Sequence, residues 1–88
     1  MMKTLLSSIA ENDIKLLIRV FNSDEKNKGK EFIGELKKCI NEILEHHENH
    51  KPQEISFHKM QNFPVAIHYI FENGETLLII AVFRKNGN

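Results

Sequence analysis

The chain has 88 residues, 41% of them hydrophobic and 27% charged, which suits one globular domain and excludes a disordered or multi-domain chain. Twelve Lys and Arg cancel twelve Asp and Glu, so no global positive field exists to hold bulk nucleic acid. No apolar run approaches the roughly 18 residues of a membrane span. Leu5-Leu6 is too short for a signal-peptide core, so a cytoplasmic location is expected.

Lys3 to Leu6 reads as a first strand. Ser7 and Ser8 then offer N-cap hydroxyls, and Ser8 with Glu11 has the S-x-x-E spacing of a capping box. Over about residues 9–21, Ile14, Leu17, Ile18 and Phe21 fall on one helical face by the i, i+3, i+4, i+7 rule. Asn22-Ser23-Asp24 breaks that helix, and the polar residues from Lys26 to Lys30 are loop-like. A longer helix is expected over about residues 28–47. Its stripe is Phe32, Leu36, Cys39, Ile40 and Ile43, with Glu31, Glu35, Lys38, Glu42 and Glu45 toward water. The short polar joint predicts an antiparallel helical hairpin, and Pro52 bars helix continuation. Cys39 is the one cysteine, which rules out an internal disulfide and a cysteine-based zinc knuckle; on this stripe it reads as a buried structural thiol.

The remainder is strand. Residues 54–60 alternate, with Ile55, Phe57 and Lys59 on one side, and Phe63-Pro64 marks a kink. Residues 65–71 are β-branched and aromatic, and residues 76–83 answer them across Asn73-Gly74, the signal of a type I′ hairpin turn. With Asn73-Gly74 as the loop, Phe71 faces Thr76, Tyr69 faces Leu78, Ile67 faces Ile80 and Val65 faces Val82. That apolar face is the one for the helical hairpin to cover. The other face carries Pro64, Ala66, His68, Ile70, Leu77, Ile79, Ala81 and Phe83, too apolar to be left in water, and a partner protein is the economical cover. The expected architecture is α+β, in the order β-α-α-β-β-β: an antiparallel sheet packed on one face by a helical hairpin, one domain over residues 1–88.

His46 and His50 stand at the i, i+4 spacing that can hold zinc or nickel, with Glu42 or Glu45 as a third ligand. The string is not H-E-x-x-H, since Lys51 occupies the needed position after His47-Glu48. A polar helix end, where histidines suit the negative pole of the dipole, is the plainer reading, and no metal site is assigned. Gly29 and Gly34 lack the Lys-Ser/Thr that completes a phosphate loop.

Four segments together carry a resemblance. Phe63-Pro64-Val65-Ala66-Ile67-His68-Tyr69 looks like F-P-[YV]-x-I-x-Y, and Leu78-Ile79-Ile80-Ala81-Val82-Phe83 looks like I-x-I-L-A-V-x. Phe32, Leu36, Ile40 and Ile43, ending at His50-Lys51-Pro52, are similar to a second helix and its proline-containing loop. Leu5-Leu6-Ser7 with Ala10-Glu11-Asn12-Asp13-Ile14 resembles L-S-x-x-A-x-x-D-L. In this order and spacing they resemble the RelE/ParE family, the toxins of type II toxin–antitoxin modules and plasmid stabilisation systems of bacteria. The resemblance implies this α+β fold, no cofactor, inhibition of growth, and neutralisation by a cognate antitoxin. One branch of the family cleaves messenger RNA on the ribosome; another inhibits DNA gyrase and is not a nuclease.

The departures favour the second branch. The family follows its last strand with H-x-R-R, whereas this chain reads Arg84-Lys85-Asn86-Gly87-Asn88. Ser56 and Phe57 stand where the third strand usually carries arginine, and the only tyrosine, Tyr69, is on the expected core face. Metal-free RNA cleavage needs a base, cations for the phosphate and an acid. The candidates for that reading are His58, Lys59, His68 and Arg84, with Lys85 beside them; the plainer reading is a half-buried strand histidine and solvated strand ends. The leading expectation is a ParE-like toxin that acts by binding, with Ile70, Leu77, Ile79, Phe83, Arg84 and Lys85 as its partner-binding residues. Its partners would be an antitoxin and DNA gyrase, with a homodimer also open. The alternatives are a RelE-like endoribonuclease acting on the ribosome and its message, and a family member that keeps the fold but harms nothing.

Overall fold

In the computed structural model, which describes residues 2–85, β1 (Lys3–Leu6) leads into α1 (Ser8–Asp24) and α2 (Lys28–Glu45). A single 3-10 turn (His47–Asn49) follows, then β2 (Ser56–Lys59), β3 (Val65–Asn73) and β4 (Thr76–Arg84). The element order matches the sequence reading. The sheet has the order β1-β4-β3-β2. It is mixed, not wholly antiparallel: β2, β3 and β4 form an antiparallel meander, but β1 pairs parallel with β4. The helical hairpin returns the chain to its starting end, so β2 runs in the sense of β1. Two reversals later β4 has that sense again and meets β1 in parallel. No helix among the described residues is long and apolar enough to cross a membrane.

The β3–β4 register differs from the expected one. Asn73 pairs with Thr76, so Gly74-Glu75 is the loop. Asn73 closes it by accepting the Glu75 N–H on Oδ1 at 2.8 Å, an Asx turn that replaces the type I′ turn and leaves Gly74 without positive φ. The register slips twice: Glu72 is extra in β3, between the Phe71–Leu77 and Asn73–Thr76 pairs, and Ile80 is extra in β4, between the Tyr69–Ile79 and His68–Ala81 pairs. Each bulge inverts the alternation beyond it. Between the two, Leu77 and Ile79 therefore turn to the helix side, at 0% exposure, in place of the expected Leu78 and Ile80. Past Ile80 the expected faces return, and Val82 is buried opposite Ile67.

Helix α1 is clamped to β4. Its N-cap is Ser7 and not Ser8: the Ser7 hydroxyl accepts the Ala10 N–H at 2.9 Å and donates to the Ile80 carbonyl at 2.6 Å. This moves the cap one residue upstream and takes Glu11 out of capping-box position. One turn further along, the Asp13 carboxylate accepts the Val82 N–H at 3.0 Å. The two helices meet closely at Gly29, whose N–H donates to Asn22 Oδ1 at 2.9 Å. Asn22 thus supplies from α1 the cap that Asn27, left-handed at φ 67°, does not give to α2. The core beneath centres on Phe21, Phe32 and Phe63, with ring centroids 4.9–5.6 Å apart in tilted and edge-on arrangements.

A methyl group at position 29 would lie 2.9 Å from the Ile18 carbonyl oxygen and from Asn22 Oδ1. Gly29→Ala is therefore expected to destabilise the fold by about 1–3 kcal/mol despite the better helix propensity of alanine. Urea denaturation checks this, as a lower midpoint at unchanged slope.

Candidate functional site

Among the described residues, no element covers the sheet face away from the helices. Register places Phe57 of β2 opposite His68 of β3, and Lys59 opposite Ala66. Phe83 of β4 completes a ladder across three strands: the His68 ring lies 4.1 Å from Phe57 and 4.3 Å from Phe83 between centroids, edge-on to both. Phe57 is 62% exposed, Ile55 just before it 61%, and Phe83 37%. The strip continues through Ile70, opposite Leu78, to exposed Leu5 of β1. At its other end a cavity of about 290 Å³ is lined by Phe57, Lys59, Ala66, His68, Phe83 and Lys85.

Charge on this face is local. Its neighbour Lys59 holds Lys85 below the ordinary lysine value, first through side-chain contact and then through the repulsion of like charges. His68 is half-buried, and its Nε2 has no hydrogen-bond partner among the described residues. Burial lowers its pKa, so the imidazole between the two phenyl rings is neutral at neutral pH.

The expected site residues separate. Ile70, Phe83 and Lys85 are on the open face. Leu77 and Ile79 are not: the bulges bury them beneath the helices, which removes them as anchors. Arg84 is opposite core residue Val65 and so belongs to the helix side, exposed at the strand end. The four nuclease candidates do not converge either. His68 and Lys59 line the open-face cavity, whereas His58, opposite Ile67, points toward α2, its Nε2 3.6 Å from Glu42 Oε1. Tyr69 is a core residue whose hydroxyl lies 3.3 Å from His50 Nε2. The other His50 nitrogen lies 3.3 Å from the Ser56 hydroxyl. Burial raises the Tyr69 pKa, while its hydrogen bond to Ser56 lowers it. His50 is thereby held to the sheet, with extended backbone, and is not on a helical face with His46. Asn86-Gly87-Asn88, which stand where the family's basic cluster would continue, lie outside the described residues.

A second cavity, of about 250 Å³, lies between α2 and β2, lined by Glu35, Lys38, Cys39, Glu42, His58, Lys59 and Gln61. Cys39 is buried at its base. Burial and the carboxylates of Glu35 and Glu42 push its thiol up to about 11, which makes it a poor nucleophile. Sequence reasoning missed Phe57, Ile55 and Leu5 as surface anchors. The signal was the pairing of Ser56 and His58 with the core residues Tyr69 and Ile67, which turns the intervening Phe57 outward.

No protein-family model matches the chain, and no curated protein matches it. Among solved structures, a chain from the chromosomal ParDE TA system of P. aeruginosa is similar over 98% of both chains, with a TM-score of 0.80 at 10% identity. Strand, helical hairpin and three-strand meander thus form a ParE-like toxin fold.

Proposed function

We propose that this protein is the toxin of a type II toxin–antitoxin module, ParE-like, which inhibits DNA gyrase by binding and is silenced by a cognate antitoxin on the open sheet face. The observation that carries this reading is the exposed strip of Phe57, Phe83, Ile70 and Leu5 on a fold that matches the ParDE chain from end to end. A contiguous exposed apolar strip with aromatic residues marks an interaction surface. Lys59 and Lys85 form the charged rim at one end, suited to an acidic antitoxin segment. Ile55, just before β2, and Phe57 within it present further apolar surface at the sheet edge, where a strand of the antitoxin gains both backbone and side-chain contacts.

A RelE-like ribosome-dependent endoribonuclease is the second reading, favoured by the paired amines of Lys59 and Lys85 beside His68. Against it, His58 and Arg84 belong to the opposite side of the sheet. Induction in bacteria without antitoxin separates the readings. Arrested DNA synthesis with intact messages is the expected result; cut messages with arrested translation would favour the nuclease, and unimpaired growth with soluble protein would leave a harmless relative. In the complex with a ParD-type antitoxin, Phe57→Ser is expected to weaken affinity by roughly 30-fold or more, measured by calorimetry.

The state of His68 gives a second check. Its folded pKa is below the ordinary 6.5, so the unfolded chain binds more protons in that window. The stability this residue contributes is therefore complete above 6.5 and is lost as pH falls through the folded value. Its ring protons, followed by NMR, should titrate below the ordinary histidine range. His68→Phe should remove that part of the acid sensitivity from the urea midpoint.

A further inference from the structure

We infer that the cavity between α2 and β2 is a binding site for a zinc-like divalent transition metal, held by Cys39, Glu42 and His58. The ligand atoms of these three side chains all lie within 4.8 Å of one another, and His58 Nε2 is 3.6 Å from Glu42 Oε1. Ligands at the usual zinc distances, about 2.0 Å for nitrogen and oxygen and about 2.3 Å for sulfur, stand roughly 3.3–3.8 Å apart around a tetrahedral ion. The cluster is thus close to coordinating geometry, and small side-chain rotations complete it. Cys39 and Glu42 are i, i+3 on α2, one above the other on the same face. His58 reaches them because its register opposite Ile67 turns it to the helix side.

The donor set selects the metal. One sulfur, one imidazole nitrogen and one carboxylate oxygen suit zinc or cobalt and not magnesium or calcium, which require oxygen ligands. Three protein ligands leave the fourth position to water, and the cavity of about 250 Å³ has room for it. Glu35 lines the same cavity and accepts a hydrogen bond from Asn62 Nδ2 at 3.2 Å. Its charge, with that of Glu42 and a metal-bound thiolate, outweighs the rim amines of Lys38 and Lys59. The ion would tie the four-residue edge strand β2 to α2.

The test uses the full chain, reduced and stripped with a chelator. Cobalt(II) is expected to bind at one equivalent, with a thiolate-to-cobalt charge-transfer band and the strong visible absorption of a four-coordinate site. Zinc should displace it and raise the thermal midpoint. Cys39→Ser should abolish the charge-transfer band. Because Cys39 is buried, Glu42→Gln and His58→Gln provide tests less exposed to misfolding. Each should weaken binding by about 100-fold or more, beyond the loss typical of outer-shell changes, with the far-ultraviolet dichroism unchanged. Absence of a charge-transfer band would overturn the site, as would full binding in all three variants or loss of binding in His46→Gln or His47→Gln instead.

Discussion

Backbone satisfaction along one side of β4 is the constraint on which the structure depends. Strand β4 is nine residues long, but β1 beside it has only four, and their pairing ends at Leu6–Ile79. From there on β4 would present unpaired amide and carbonyl groups to the underside of α1, a cost comparable to several lost hydrogen bonds. The chain meets this with residues at the start of α1. The Ser7 N–H donates to the Ile79 carbonyl, the Ser7 hydroxyl to the Ile80 carbonyl, and Asp13 accepts from Val82. The helix is thereby fixed on the sheet by polar groups as well as by hydrophobic contact. Ser7 serves two purposes, since the same oxygen caps the helix.

The Ile80 bulge lies where this clamp grips. The extra residue lets Ile79 and Val82 both face the core, three positions apart, which strict alternation forbids. It also decides what the open face contains. Without the two bulges Leu77 and Ile79 would face outward; with them, Leu78 joins Ile70 and Leu5 there, and the large side chains near the edge are Phe57 and Phe83. The candidate interaction face is in this sense a consequence of how β4 was fitted under α1.

Much of the fold was legible from the sequence. Helical periodicity placed Phe21, Phe32, Leu36 and Ile43 in the core, and Asn73-Gly74 marked a hairpin. What it did not disclose were events one residue in size. The choice of Ser7 over Ser8 as cap, the Gly74-Glu75 loop and the bulges at Glu72 and Ile80 each shift a pattern by one position. Apolar runs such as Leu77 to Val82 have no polar residue to report their phase, so either face was compatible with them. The parallel β1–β4 pairing was hidden for a related reason: nothing in Lys3 to Leu6 indicates which neighbour it will meet. The proximity of Cys39 and Glu42 could be read from helical spacing, but that of His58 required the β2 register.

Strand β2 joins the two candidate sites. It is a four-residue edge strand whose alternate side chains go to opposite sides, Phe57 to the open face and His58 to α2. Among the described residues its only strand neighbour is β3, and short edge strands with one partner belong to the least stable parts of a sheet. An anchor such as Phe57 contributes more to affinity when its strand is already ordered, because less conformational entropy is lost on binding. Any contact that holds His58 to α2 also limits the freedom of Phe57, one residue away. The ion pair geometry of His58 and Glu42 provides a weak form of that restraint, at 3.6 Å and partly exposed. A metal ion shared with Cys39 would supply a much stronger one, since it would fasten the edge strand to a buried group of the core.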